Sequence, residues 1–331
     1  MATRTLGKTS LASFPIGLGC MGMSDFYGPA DRQESLNTIH AALERGINLL
    51  DTGDFYGMGH NEILIGEAIR AVPREKLILS VKFGAQRDPG GAWQGFDARP
   101  AAVKTALAYT LKRLGTDYID IYRPARLDPS VPIEDTVGAI ADMIRAGYVR
   151  QLGLSEVGSE TIRRAHAVHP VCDLQIEYSL LSRGIEKSIL GTCRERGIGI
   201  TAYGVLCRGL INESWTSEGL SPKDFRRLSP RFQGENAERN RAALAPLKRI
   251  AEKHTASISQ IAVAWVLARG DDILPLVGSR RRSTLTDSLK ALDIQLSATD
   301  LEMLNASFPE GTAAGNRYAE PQFSHLDSER G

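Results

Sequence analysis

Ile47-Asn48-Leu49-Leu50-Asp51-Thr52-Gly53-Asp54-Phe55-Tyr56-Gly57 is the stretch from which the rest of the chain can be read. Its short apolar run reads as a buried strand, it ends on an acid, and a tyrosine comes next on a glycine-bounded turn. Helix signals come at once, with Asn61-Glu62 as a cap before Ile63, Leu64, Ile65 and Ile69. The unit is therefore strand, loop, helix, with a carboxylate and a phenol at the carboxyl end of the strand. The next apolar run, Leu77-Ile78-Leu79-Ser80-Val81-Lys82, ends on a lysine. If these two strands are parallel neighbours, Asp51, Tyr56 and Lys82 meet at one rim.

The same alternation extends both ways. Upstream, Thr3 to Ser13 alternates around Gly7-Lys8 as a short hairpin, a cap on the main body of the fold. Pro15 to Cys20 reads as a strand, Met21 to Gly28 as a loop, and Asp31 to Arg45 as a helix stopped by Gly46. Downstream, a glycine-rich loop runs to Pro100 and a helix to Leu114. Strands at Tyr118–Arg123, Gln151–Glu156, Leu174–Tyr178 and Gly199–Tyr203 then alternate with helices at Ile133–Ala146, from Ser159, and over about 186–196. A long polar segment from Cys207 to about Glu235 precedes helices over 236–254 and 257–268, the strand Ile273–Gly278 and a helix over 284–292. Loops of that length are uncommon and usually functional.

Eight short apolar strands, each followed by a helix, fit an α/β fold of the closed (β/α)8 TIM-barrel type, with an N-terminal β-hairpin and a long loop after strand 7. No GxGxxG follows a strand, which disfavours a Rossmann sheet. No composition break divides residues 1–331, so a single domain is expected. In such barrels the chemistry sits at the carboxyl ends of the strands.

Composition narrows the function. The chain is 42% hydrophobic and 24% charged with a net charge of +1, as expected of a soluble globular protein without a basic stripe for nucleic acid. Cys20, Cys172, Cys193 and Cys207 are widely spaced and read as reduced thiols, with no metal site among them. There is no apolar signal core at the N-terminus and no run near the roughly 20 residues a spanning helix needs, so the expected location is cytoplasmic and away from the membrane. The sequence leaves the oligomeric state open.

A tyrosine phenol, with an ordinary pKa of about 10, is a poor proton donor at neutral pH. A neighbouring ammonium such as Lys82 is expected to lower that value, and Asp51 to supply the buried lysine with a counter-charge. Such a trio suits a general acid for a carbonyl oxygen that receives hydride. No side chain donates hydride, so a nicotinamide cofactor is implied. Singly, Asp51 could be a loop acid, Tyr56 a wall residue and Lys82 a solvated strand end; it is their joint placement that points to chemistry.

Nearly the whole chain resembles the aldo-keto reductases. The resemblance is carried in order by IGLGCMGMS, GINLLDTGDFYGMGHNEILIGEAI, LSVKFG, LGTDYIDIYR, VRQLGLSEV, LQIEYSLLSR, ITAYGVLCRGL and LPLVGSRRR. It implies a barrel that binds NADPH and reduces a small-molecule carbonyl, with Asp51, Tyr56 and Lys82 matching three of the family's four catalytic residues. The fourth is a histidine in a pattern like Tyr-x-x-His-Arg, and here the run is Tyr122-Arg123-Pro124-Ala125-Arg126, with Ala125 at the histidine position. Of the chain's histidines, only His60 falls on a top-face loop.

By the same resemblance Ser155 and Gln175 hold the nicotinamide carboxamide, and Tyr203 stacks on the ring. Leu206, Arg208 and Gly209 lie over the pyrophosphate, and Gly278, Ser279 and Arg280 form the adenosine-phosphate site. Asp287-Ser288 stands where the family often has Glu-Asn near the adenine. Met23, Phe26, Tyr27, Phe55, Trp93, Arg123, Ala125 and Arg126 are the substrate-pocket candidates, with room for a bulky ketone on the alanine side and either arginine able to replace the histidine. Trp215 and Phe232 in the long loop are candidate walls of a flap. Two alternatives stay open: a slow-turnover NADPH-binding regulatory protein like the potassium-channel β subunits, and a reductase of a conjugated C=C bond.

Overall fold

In the computed structural model, which describes residues 3–24, 26–212, 220–222 and 224–330, the chain opens with the hairpin of β1 (Arg4–Thr5) and β2 (Ala12–Ser13). Its turn residue Gly7 has φ 55°, and a Cβ there would stand 2.2 Å from the Cys172 carbonyl oxygen, so only glycine fits. Leu6 and Leu11 pack into a cluster with Leu49, Ile78, Ile121, Cys172, Leu274 and Leu276 and plug the floor of a barrel.

The barrel begins with β3 (Gly17–Gly19), α1 (Arg32–Glu44), β4 (Leu49–Gly53), α2 (His60–Ala68) and β5 (Ile78–Phe83). A second hairpin, β6 (Ala85–Arg87) and β7 (Trp93–Phe96), occupies the stretch expected to be a loop. Its three and four residues carry too little alternation to read as strands. The order continues through α3 (Pro100–Leu114), β8 (Ile119–Pro124), α4 (Ile133–Arg145), β9 (Val149–Ser155), α5 (Ser159–Val168), β10 (Val171–Glu177), α6 (Ile189–Arg196) and β11 (Gly199–Tyr203). After the long loop come α7 (Gly234–Ala242), α8 (Ala245–Lys253), α9 (Ile258–Leu267), β12 (Ile273–Gly278), α10 (Arg282–Leu289), α11 (Ala298–Ser307) and α12 (Glu320–Phe323). The helix expected over 236–254 is thus two helices, broken where Pro246 enters the first turn of α8 and cannot continue the preceding one.

The eight strands β3, β4, β5, β8, β9, β10, β11 and β12 pair in parallel, and β12 closes on β3 with Leu276 opposite Gly17. Helices cover the outside, so β4, β5, β8 and β10 are buried along their whole length and read as apolar runs. Polar residues interrupt those runs mainly on the inward row. Asp51 pairs with Ser80, Gly53 with Lys82, and Lys82 with Arg123, which places these side chains in successive layers of the barrel interior. The four cysteines are buried and unpaired. No helix among the described residues is long and apolar enough to cross a membrane. A cleft of about 1040 Å³ lies at the hairpin end, between Thr3–Lys8 and Asp271–Asp272, opposite the strand ends that carry the site.

Candidate active site

Asp51, the middle residue of β4, is 2% exposed and accepts three hydrogen bonds: from Lys82 Nζ, from Ser80 Oγ at 2.8 Å and from Gln175 Nε2 at 2.7 Å. Tyr56 reaches the same point because the chain reverses tightly after β4, with the Tyr56 N–H donating to the Gly53 carbonyl at 3.0 Å. Asn61 holds that turn. It is no helix cap, since α2 starts from Gly59 at φ 93° without a side-chain cap. Instead its Oδ1 accepts from Thr52 Oγ1 at 2.7 Å, and its Nδ2 donates to the Cys20 carbonyl and to Ser24 Oγ. Glu62 is likewise buried, bonded to Thr110 and Arg113. Lys82 Nζ lies 5.2 Å from the centroid of the Tyr56 ring, so the three expected residues do meet.

Their electrostatics differ from expectation in one respect. Burial, reinforced by Asp51 and opposed by Arg126, holds the Tyr56 phenol well above its ordinary value instead of below it. Burial outweighs the cations around the ring, and Lys82 shares its charge with Asp51 in direct contact. Burial pushes Lys82 itself down, against the pull of Asp51 and with help from Arg123 and Arg126. A buried neutral phenol is the form that can give up a proton.

Aromatic rings wall one side. Phe55 and Phe26 stand edge-on to Tyr56 at 4.7 and 5.8 Å, and Trp93 from the β6–β7 hairpin packs on both. Tyr27 stands edge-on to Phe225 at 5.5 Å, next to Phe26. Met23 is not a pocket residue; at 2% exposure it is part of the main core, as is Phe232. Trp215 lies outside the described residues. His60 is exposed and its Nδ1 bonds Ser24 Oγ at 2.8 Å.

The end of β8 separates its two arginines. Arg123 is fully buried in the barrel with Nη2 at 3.0 Å from both Asp173 oxygens, so it belongs to the layer below the site and does not line the pocket. Asp173 also accepts from Thr201 Oγ1 at 2.5 Å. Ala125, directly after β8, is 2% exposed. Arg126 is at the mouth, donating to the Ala125 carbonyl at 2.6 Å, Ser155 Oγ at 3.4 Å and the Tyr318 hydroxyl at 3.1 Å.

Tyr318 and its neighbours are site residues that sequence reasoning missed. The segment after α11 crosses the barrel mouth and inserts Arg317, whose guanidinium donates to both Glu156 oxygens at 2.8 and 2.6 Å and lies 3.5 Å from Glu177. Glu156 also accepts from Tyr203 and Ser328. It adopts φ 53°, an uncommon backbone state for a residue with a side chain, and one that concentrates at functional sites. The only available signal was Glu156 following Ser155 at a strand end. Gly315-Asn316-Arg317-Tyr318 belongs to no periodic element.

On the remaining side of the mouth Tyr203 meets Tyr318 hydroxyl to hydroxyl at 3.0 Å. Leu206 packs on the core and leads into Arg208 and Gly209, both at positive φ. Arg208 pairs with Glu177 at 2.9 Å and also donates to the Arg317 carbonyl. Gly278 is exposed, and a Cβ there would meet nothing within 4 Å. Ser279 Oγ bonds the Arg281 carbonyl and Thr284. Arg280 donates only to the carbonyls of Tyr27, Gly28 and Pro29 and has no carboxylate partner among the described residues. A half-buried guanidinium left without an acid beside an open glycine suits a phosphate group. Asp287 accepts from Ser257 and Gln260, and Ser288 is buried in α10.

Comparison with known proteins gives the family. The model of the aldo/keto reductase family matches residues 15–308, and the chain belongs to that family. It is 39% identical over 319 residues to the probable aldo-keto reductase 1 of Glycine max, covering 95% of this chain and 90% of that one. It is 36% identical over 321 residues to the aldo-keto reductase yakc [NADP(+)] of Schizosaccharomyces pombe, covering 96% and 94%. Among solved structures, the glycerol dehydrogenase of Gluconobacter oxydans superposes with a TM-score of 0.82 at 28% identity, over 92% of this chain and 94% of that one.

Proposed function

We propose that the protein is an NADPH-dependent reductase of aldehydes or ketones, with Tyr56 as the general acid. The observation that carries this is the contact of Asp51 with Lys82 beneath the ring of a buried, neutral Tyr56. Arg280 and Ser279 would hold the adenosine phosphate, Arg208 and Gly209 the pyrophosphate, and Ser155, Gln175 and Tyr203 the nicotinamide. When bound, the cofactor supplies the hydride. Tyr56 orients the carbonyl by donating a hydrogen bond to its oxygen and passes its proton to that oxygen as charge develops there. Lys82, fixed by Asp51, stabilises the phenolate left behind, and Ser80 and Gln175 fix Asp51 in turn. The aromatic wall of Phe26, Phe55 and Trp93 excludes water from the transfer.

The test is Tyr56→Phe. Carbonyl reduction should fall on the order of 10²-fold or more, typical for a removed general acid. NADPH affinity, read by quenching of protein fluorescence, should stay nearly constant. Near-normal turnover of the Phe variant on its best substrate would rule out the assignment. The cofactor half has its own test: Arg280→Ala should remove most of a roughly tenfold preference for NADPH over NADH, the size of one charge-assisted hydrogen bond.

A further inference from the structure

The barrel mouth holds an excess of positive charge that the proposed reaction does not use. Glu156, Glu177 and Glu329 stand among Arg126, Arg208, Arg231 and Arg317, so three carboxylates face four guanidiniums. Arg208 and Arg231 each pair with Glu177, and Arg317 pairs with all three acids. Arg126 makes none among the described residues. Its three partners, the Ala125 carbonyl, Ser155 Oγ and the Tyr318 hydroxyl, are all neutral.

The pattern of those bonds is informative. A guanidinium has five N–H groups. Both on Nη1 are engaged, by Ala125 and Ser155, and one on Nη2 by Tyr318. The Nε–H and one Nη2–H are left over, and Nε and Nη2 share the side-on edge of the guanidinium that matches the two oxygens of a carboxylate. The fork is held in place from three sides, so little of its freedom remains to be lost on binding. A half-buried cation without a counter-ion is costly unless an anion visits it. Arg280, also without an acid, has its expected visitor in the cofactor phosphate. Arg126 stands two residues past Pro124, at the end of the strand paired with that of Lys82, and donates to Ser155 at the next strand end, so its visitor is the substrate.

We infer that the substrate is a carbonyl compound that also bears a carboxylate, with the carboxylate held by the Nε–Nη2 fork of Arg126 and the apolar body against Phe26, Phe55 and Trp93. This rests on the carbonyl-reductase reading above and adds the substrate class. Arg126 here is a specificity residue that binds the part of the substrate away from the reacting atoms. A guanidinium acting on the carbonyl oxygen itself would need one N–H and would serve neutral and acidic carbonyls alike.

The experiment has a binding arm and a turnover arm. In the binding arm, phenylacetate and its neutral isostere phenylacetamide are titrated against the NADP(+)-loaded enzyme by calorimetry. The acid should bind about tenfold or more tightly than the amide, as one charge-assisted contact provides, and Arg126→Gln should erase that difference. In the turnover arm, 4-carboxybenzaldehyde is compared with methyl 4-formylbenzoate. Arg126→Gln should raise KM for the acid far more than for the ester, with kcat on the acid changed much less than KM. Arg126→Lys keeps the charge but not the fork and should fall between. Equal binding of acid and amide by the wild-type enzyme overturns the inference, and that comparison needs no variant to fold. So does an Arg126→Gln enzyme whose kcat falls alike on both aldehydes, which would place the guanidinium at the carbonyl oxygen. If the acid preference in binding persists while neither aldehyde is reduced, the carboxylate site stands and the carbonyl-reductase reading fails.

Discussion

Asp54 sits three residues after Asp51, on the turn that carries Tyr56. Its Oδ1 is buried without a hydrogen-bond partner, and Oδ2 receives the Gly84 N–H at 3.4 Å. Burial, reinforced by the nearby Glu62, pushes its carboxyl up from 3.8 to about 7. The native state therefore binds this proton more tightly than the unfolded chain does. Its contribution to stability is fully present below about pH 4 and is lost as pH rises through about 7. Asp54→Asn cannot ionise, so the amount by which the variant's melting temperature exceeds that of the wild type should grow by on the order of 2 °C or more between pH 5 and pH 8. Thermal scans at the two pH values check this, and equal shifts at both would show that Asp54 is charged throughout. Asp51 and Asp54 look alike in the sequence. What separates them is that Asp51 meets a lysine and two further side-chain donors across the barrel, whereas Asp54 meets backbone amides, and neither fact is visible along the chain. A second prediction belongs to this scale. Ala125→His puts a much larger side chain at a position only 2% exposed, so it should lower kcat/KM on small and large carbonyls alike and reduce the melting temperature. An improvement on either substrate class would show that the site can open.

At the level of strands, β8, β9 and β10 hold a buried ion pair in the layer below the site. Arg123 on β8 reaches Asp173 on β10 across β9, which is possible because Gly153 between them lacks a side chain. A Cβ at Gly153 would lie 2.7 Å from Asp173 Oδ1 and 2.8 Å from Arg123 Nε. Arg123 still has Nε and Nη1 buried without partners. Breaking such a pair leaves a naked charge, so Asp173→Leu alone should cost about 3–5 kcal/mol, while Arg123→Met with Asp173→Leu should recover most of it. Denaturant unfolding of the two single variants and the double one measures this. A double variant no more stable than Asp173→Leu would mean that the pair is needed for more than mutual neutralisation. The barrel strands themselves were legible because burial on both faces leaves a nearly uninterrupted apolar run. The β6–β7 hairpin and the split between α7 and α8 were not, because short exposed strands carry little periodicity and Pro246 reads equally well as a first-turn residue or a mere interruption.

For the molecule as a whole, both ends of the barrel are covered by chain outside the repeating units. The β1–β2 hairpin seals the floor and the segment over 309–330 crosses the mouth. The second cover is held by charge. Although burial alone would raise the Glu156 carboxyl, Arg317 and Arg126 hold it far below its ordinary 4.5. The stability it gives is thus present above about pH 4.5 and is lost as pH falls below that. Arg317→Ala should speed amide exchange across 311–330 and around Glu156 at neutral pH while leaving the strands on the barrel floor unchanged. Exchange confined to wild-type rates in the tail would mean that its apolar contacts suffice. Closure of the ring has another consequence. Because β12 completes the ring against β3, a growing chain carries two unpaired strand edges until Gly278 has been synthesised, and such edges are templates for intermolecular pairing. Until that point in synthesis, the edges of β3 and of the last strand made are open to pairing with neighbouring chains.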